Sequence, residues 1–203
     1  MRIAKGLLVL GMAALLLPAS LRAQQQNASH SEIDLALTYI AQHGSVNGGG
    51  SFWAQGGGAE LSASVYHGLG VAANVTATRV TNINSSGVNL TLVTATFGPR
   101  YTWSHPLAAK FGARPARQLN LFGEALIGET NGVDSVFPSA QGALSSSNSF
   151  ALRLGGGADI TLTHHLAIRM VEASWLRTQL PNGGSNVQNN LQLSSGIVLH
   201  FPQ

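Results

Sequence analysis

The chain has 203 residues, no cysteine and only 9 % charged residues. The missing cysteines exclude disulfides, thiolate metal sites and thiol catalysis, and so little charge is too sparse to wet an ordinary soluble surface. The formal net charge of +3 comes from Arg2, Lys5 and Arg22; the eight basic and eight acidic residues that follow cancel, so charge gives no sign of a nucleic-acid partner.

Arg2 and Lys5 open the chain, residues 6–17 are almost unbrokenly apolar, and residues 18–23 end on the small Ala23. This is the three-part layout of a secretory signal peptide, with cleavage expected after Ala23. The apolar run is too short to cross a bilayer as a helix. Residues 24–31 then read as an N-terminal extension and residues 32–203 as one domain. No later stretch approaches the apolar length of a membrane helix. Export with so little charge leaves a membrane β-barrel as the main candidate and a soluble periplasmic β-protein as the alternative.

Period-2 alternation recurs along the rest of the chain. A first strand at about 32–42 sets Ile33, Leu35, Leu37 and Tyr39 against Asp34, Ala36 and Thr38. The second, about 57–67, sets Ala59, Leu61, Ala63 and Val65 against Glu60, Ser62, Ser64 and Tyr66. The third, about 69–79, sets Val71, Ala73, Val75 and Ala77 against Ala72, Asn74, Thr76 and Thr78. In the fourth, about 89–103, Val93, Ala95, Phe97, Tyr101 and Trp103 oppose Thr94, Thr96, Gly98 and Arg100, while Leu90 and Leu92 break the frame.

The fifth, about 118–128, opposes Leu119, Leu121, Ala125 and Ile127 to Asn120 and Glu124, with Phe122 and Leu126 on the polar face. The sixth, about 149–162, alternates Phe150, Leu152, Leu154, Ala158, Ile160 and Leu162 with Ala151, Arg153, Gly155, Gly157, Asp159 and Thr161. In the seventh, about 166–179, Arg169 and Glu172 cannot share a face of a regular strand, which predicts a bulge near Met170 and Val171. The eighth, about 190–201, alternates Leu191, Leu193, Ile197, Leu199 and Phe201 with Asn190, Gln192, Ser194 and His200.

Eight strands of this length, with charge confined to the face that carries Thr, Ser, Asn and Gly, have the lipid-out, polar-in order of a transmembrane barrel. A soluble lipocalin-like barrel would have the reverse order. The fold expected is all-β, an eight-stranded antiparallel up-and-down barrel. Gly68 and residues 163–165 are short turns for the periplasmic end. Residues 43–56, 80–88, 129–148 and 180–189 are Gly-, Ser- and Asn-rich loops for the outer end. Residues 104–117 are long for a periplasmic turn. Tyr101, Trp103 and Phe201 are expected in an aromatic girdle at the inner rim, and Phe52, Trp53 and Trp175 near the outer rim.

The chain closes on Ser194, Ser195, Gly196, Ile197, Val198, Leu199, His200 and Phe201, followed by Pro202 and Gln203. The order polar, any, Gly, any, any, apolar, any, aromatic resembles the terminal signal recognised by the barrel-assembly machinery. The signal positions are Ser194, Gly196, Leu199 and Phe201; two residues beyond the aromatic depart from the usual ending. With residues 97–101 (Phe-Gly-Pro-Arg-Tyr), 122–124 (Phe-Gly-Glu) and 155–159 (Gly-Gly-Gly-Ala-Asp), the mature chain resembles the OmpA-type eight-stranded outer-membrane barrel family in its small, barrel-only form. The resemblance implies insertion in a bacterial outer membrane. The expected partners are outer-membrane lipid and lipopolysaccharide and the assembly machinery, with a monomeric barrel and no nucleic acid.

The facing pattern puts Asp34, Glu60, Arg100, Glu124, Arg153, Asp159, Arg169 and Glu172 in the lumen. An eight-stranded barrel is only just wide enough for its own side chains, so charges there must pair or hold water. Their expected role is structural. The glycine triplets at 48–50, 56–58 and 155–157 lack the Lys-Ser/Thr and helix of a phosphate loop and read as curvature devices. The histidines lack metal-ligand spacing. No cofactor and no catalytic residue is expected. Three functions follow: a non-enzymatic envelope-structural or surface-binding barrel, a narrow channel, or a lipid-modifying enzyme for which His43 and Ser45 would be the nearest pair.

Overall fold

The period-2 pattern becomes eight strands in a computed structural model that describes residues 32–46, 50–83, 87–107, 118–139, 142–182 and 186–202. The segment read as a signal peptide lies outside the described residues. The strands are β1 (Glu32–Val46), β2 (Gly50–Tyr66), β3 (Leu69–Val80), β4 (Leu90–Pro106), β5 (Gln118–Ser139), β6 (Gly142–Thr163), β7 (Leu166–Thr178) and β8 (Gln188–Pro202). Each pairs antiparallel with its neighbours, and β8 returns to β1 to close the ring. Closure leaves no sheet edge inside the ring, which is what a β-structure in lipid requires of its backbone hydrogen bonds.

Facing follows the sequence pattern. On β3 the inward Ala72, Asn74, Thr76 and Thr78 are buried, while Val71 and Val75 are exposed to the surroundings. The exposed apolar residues therefore form the outer, lipid-facing surface, and the polar residues form the core. Strand β7 carries the expected bulge: Arg169 pairs with Asp159 and Val171 with Ala158, so Met170 and Val171 both face out. Arg169 and Glu172 are both inward and buried.

Several boundaries and facings are corrected. The segment 43–56 is not a loop, because β1 continues to Val46 and β2 begins at Gly50; His43 and Ser45 therefore lie on a strand. Likewise most of 129–148 is strand, since β5 and β6 pair almost to their tip. Glycine, serine and asparagine lower strand propensity, but paired backbone in a hairpin overrides it. Tyr66 faces outward at 65 % exposure, because the register between β2 and β3 shifts between Ser64 and Tyr66. Phe52 is turned inward opposite Gly44, where a Cβ would lie 2.7 Å from its ring. The outer girdle therefore keeps Trp53 and Trp175 but not Phe52.

At the other end, β2 and β3 meet in a turn of two residues. His67 has φ 45° and Gly68 φ 82°, the positive pair that a type I′ hairpin turn requires. The short turns mark the periplasmic end. Strand β4 runs on to Pro106, which shortens the long 104–117 connection; residues 108–117 lie outside the described residues.

Candidate functional site

Strand register fixes which charges can meet. Arg100 on β4 pairs with Glu124 on β5, and Asp159 on β6 pairs with Arg169 on β7. The bulge in β7 sets Glu172 opposite Gly157, one layer outward from Asp159. All point into the same short section of lumen, where Glu60 on β2 joins them.

The result is one connected network. Arg169 donates through Nε to Asp159 Oδ1 at 3.0 Å and through Nη2 to Asp159 Oδ2 at 3.3 Å, a two-point contact. Its Nη1 reaches Glu60 Oε1 at 3.0 Å and Glu172 Oε2 at 2.9 Å. Arg153 donates to Glu124 Oε1 at 3.0 Å, to Ser174 Oγ at 3.1 Å and to Glu172. Arg100 donates to Glu60 and lies 3.6 Å from Glu124 Oε2 and 3.7 Å from Asp159 Oδ2. Neutral donors add to two of the carboxylates: Asn74 Nδ2 reaches Glu60 at 3.2 Å and Ser194 Oγ reaches Glu172 at 3.0 Å.

Such pairing is what makes the burial of seven ionic groups tolerable. A lone buried ion would cost several kcal/mol, and the attraction offsets this only with good geometry and extra hydrogen bonds. Oxygens of Glu60, Glu124 and Glu172 lie within 4.8 Å of one another, close enough to ligate a cation. Each of the three already faces at least one guanidinium.

Phe122 explains an oddity of the sequence. Its ring lies on the polar face under two guanidiniums, with Arg100 Cζ 3.7 Å and Arg169 Cζ 4.4 Å from its centroid. Cation–π attraction makes the ring a platform that spaces the two arginines. Gly157 makes room for it: a Cβ there would lie 2.8 Å from Phe122 Cζ and 2.6 Å from the Val171 carbonyl oxygen. The glycine thus serves a close approach, and the sequence marks the place only by an aromatic on the wrong face.

Asp34 faces the lumen but stands apart from this network. It meets His200 across the β1–β8 seam, Oδ1 to Nδ1 at 2.7 Å, at the periplasmic mouth. A polar vestibule of about 170 Å³ opens there, lined by Asp34, Ser62, Arg100, Asn120 and His200 among others. On the outer side of the network, Gln42 accepts from Gln192 Nε2 at 3.0 Å and from Thr78 Oγ1 at 3.2 Å. The facing pattern placed His200, Gln192 and Thr78 inward without giving any of them a partner. Pairing between strands as distant as β1 and β8 depends on ring closure, which no local pattern records.

A closed eight-stranded barrel with an apolar outer wall and an ion-paired core is an integral outer-membrane protein by construction. The sequence matches the outer membrane protein β-barrel domain over residues 11–201, and the chain belongs to that family. Two solved structures carry the same fold. The attachment invasion locus protein Ail of Yersinia pestis is 15 % identical, over 85 % of this chain and 99 % of Ail, with TM-score 0.52. Neisserial surface protein A is 15 % identical, over 83 % of this chain and 97 % of its own, with TM-score 0.54. Comparison with curated protein sequences finds no match. The protein is a small barrel of the bacterial outer membrane.

Proposed function

We propose that this is a non-enzymatic surface barrel whose lumen stays shut and whose contacts are made by a ribbon raised above the membrane. The observation that carries this reading is the length of β5 and β6, 22 residues each. Strand β4 covers β5 only as far as Val133, and β7 covers β6 only from Ala151. Beyond them, residues 134–139 and 142–150 form a two-stranded ribbon with no further strand on either side among the described residues.

Its two edges differ. The β5 edge carries Asp134 in left-handed backbone and then Pro138, both devices that discourage strand addition. The β6 edge, residues 142–149, has neither a charge nor a proline. Such an edge offers backbone donors and acceptors to an extended partner. Val136, Leu144 and Phe150 add exposed apolar surface. Residues 135–150 include no charged side chain, which favours an uncharged partner. Ail was solved with the heparin analogue sucrose octasulfate; this ribbon lacks the cations a sulfated ligand would call for.

Lipopolysaccharide and outer-leaflet lipid are the partners we infer for the outer wall, where Arg79 and Arg177 point outward near the outer rim. The barrel-assembly machinery is the partner inferred for β8. The test replaces residues 135–146 by a two-residue Asn-Gly turn and compares attachment of cells bearing either form to protein-coated surfaces. Loss of attachment with unchanged barrel folding is expected. Equal attachment would end the ribbon reading, and stepwise conductance of the intact barrel in planar bilayers would favour the channel.

A further inference from the structure

The register of the β5–β6 hairpin breaks between Val133 and Phe137, where residues 134–136 stand opposite Ser145 alone. Asp134 sits in this bulge at φ 59°, in the left-handed region. Aspartate is one of the few non-glycine residues that enter this region readily, which suits it to the turn of the bulge. Here Thr91 Oγ1 donates to Asp134 Oδ2 at 3.3 Å, and Arg79 Nη1 lies 3.9 Å from the same oxygen. Both partners belong to the rim of the barrel.

The bulge turns Phe137 back over the outer mouth. The ring is only 5 % exposed and packs with Leu92 of β4 and Leu180 of the β7–β8 connection, with Leu90 beside them. The backbone leaves a cradle for it, since a Cβ on Gly132 would lie 2.5 Å from Phe137 Cζ. Leu180 is itself pinned: its N–H donates to Gln188 Oε1 at 3.0 Å, and Gln188 Nε2 donates back to its carbonyl at 2.8 Å. Directly beneath, the pair Leu92 and Gly132 gives way to the pair Thr94 and Thr130, whose hydroxyls lie 2.8 Å apart. Polar lumen begins immediately under an apolar seal drawn from three separate elements.

We propose that Phe137 is the lid of the outer mouth, latched by Asp134, and that it keeps external solvent from the polar lumen. The lid goes beyond the ribbon's binding role and holds whatever the ribbon meets. A chain without cysteine allows a single reporter. Thr130→Cys, placed at a fully buried position, is reacted with a charged maleimide in the folded barrel. Modification of a buried thiol follows local opening, so Phe137→Ala or Asp134→Ala should speed it by about tenfold or more.

Ser62→Cys, on the periplasmic side of the ion network, serves as the second reporter. Its rate should be unchanged by either variant. Fast modification of Thr130→Cys with the lid intact, or no acceleration by Phe137→Ala, overturns the lid. Equal acceleration at Ser62→Cys means general loosening and overturns it too. Acceleration by Phe137→Ala alone retains the lid and overturns the latch.

Discussion

Arg153 shows how much one lumen residue is asked to do. Its guanidinium spans Glu124 on β5 and Glu172 on β7, with Glu60 Oε2 at 3.6 Å. Asp159 belongs instead to Arg169 and, more distantly, Arg100. Arg153→Ala removes the nearest cation from Glu124 and one of two from Glu172, and should cost about 3–5 kcal/mol, because desolvation of the acids is then less well offset. Arg153→Ala combined with Glu172→Gln should recover part of that loss, since removing both partners of a buried pair costs less than removing one. Urea unfolding of the four corners of the cycle in lipid vesicles measures the coupling. A hydrated, conducting lumen makes the opposite forecast: additive stabilities for Arg153 with both Glu124 and Glu172.

At the level of a strand, the β7 bulge is what lets Arg169 and Glu172 both join the network in this chain. Between Arg169 and Glu172 the chain spends two residues facing out, where regular alternation allows one. Deleting Met170 restores regular spacing with both charges still inside, so the barrel should still fold. Deleting Ala173 removes the spacer after Glu172, so a strand that keeps Ser174, Leu176 and Thr178 inward must lose the bulge and turn Glu172 outward. That loss breaks three ion pairs or hydrogen bonds of Glu172 and sets a carboxylate against lipid. The heat-dependent shift of the folded band in gel electrophoresis reports the outcome. Equal folding of both deletion variants would mean the bulge does not set the facing.

For the whole molecule, the seam between β1 and β8 is the step that makes a barrel of a sheet. Phe201 is outward, half-exposed and opposite Ile33 at the periplasmic end of that seam. We assign to it the terminal signal together with Ser194, Gly196 and Leu199. Phe201→Glu should then leave the chain in the periplasm, lowering its outer-membrane yield several-fold while Phe201→Tyr preserves it. Membrane fractionation checks both variants, and full insertion of Phe201→Glu would remove the signal from this residue. Closure also explains the narrowness of the lumen, which eight strands leave only wide enough for side chains.

The amino-acid order was enough to read the strand count, the sense of facing and even the β7 bulge, because a period of two is a local property of the backbone. It located the lumen charges for the same reason: Arg100, Glu124 and Asp159 fall on the polar beat of their own strands. It missed the extent of the hairpins, reading 43–56 and 129–148 as loops, because Gly and Ser disfavour strands in isolation while a paired neighbour holds them extended. Which side chain meets which was settled by the closed ring. Arg153 with Glu172, Asp34 with His200, Phe122 under two arginines and Phe137 over the mouth all depend on register and ring closure. Those contacts join strands far apart in the chain, and the free energy that selects them comes from satisfying buried charge and excluding water all at once.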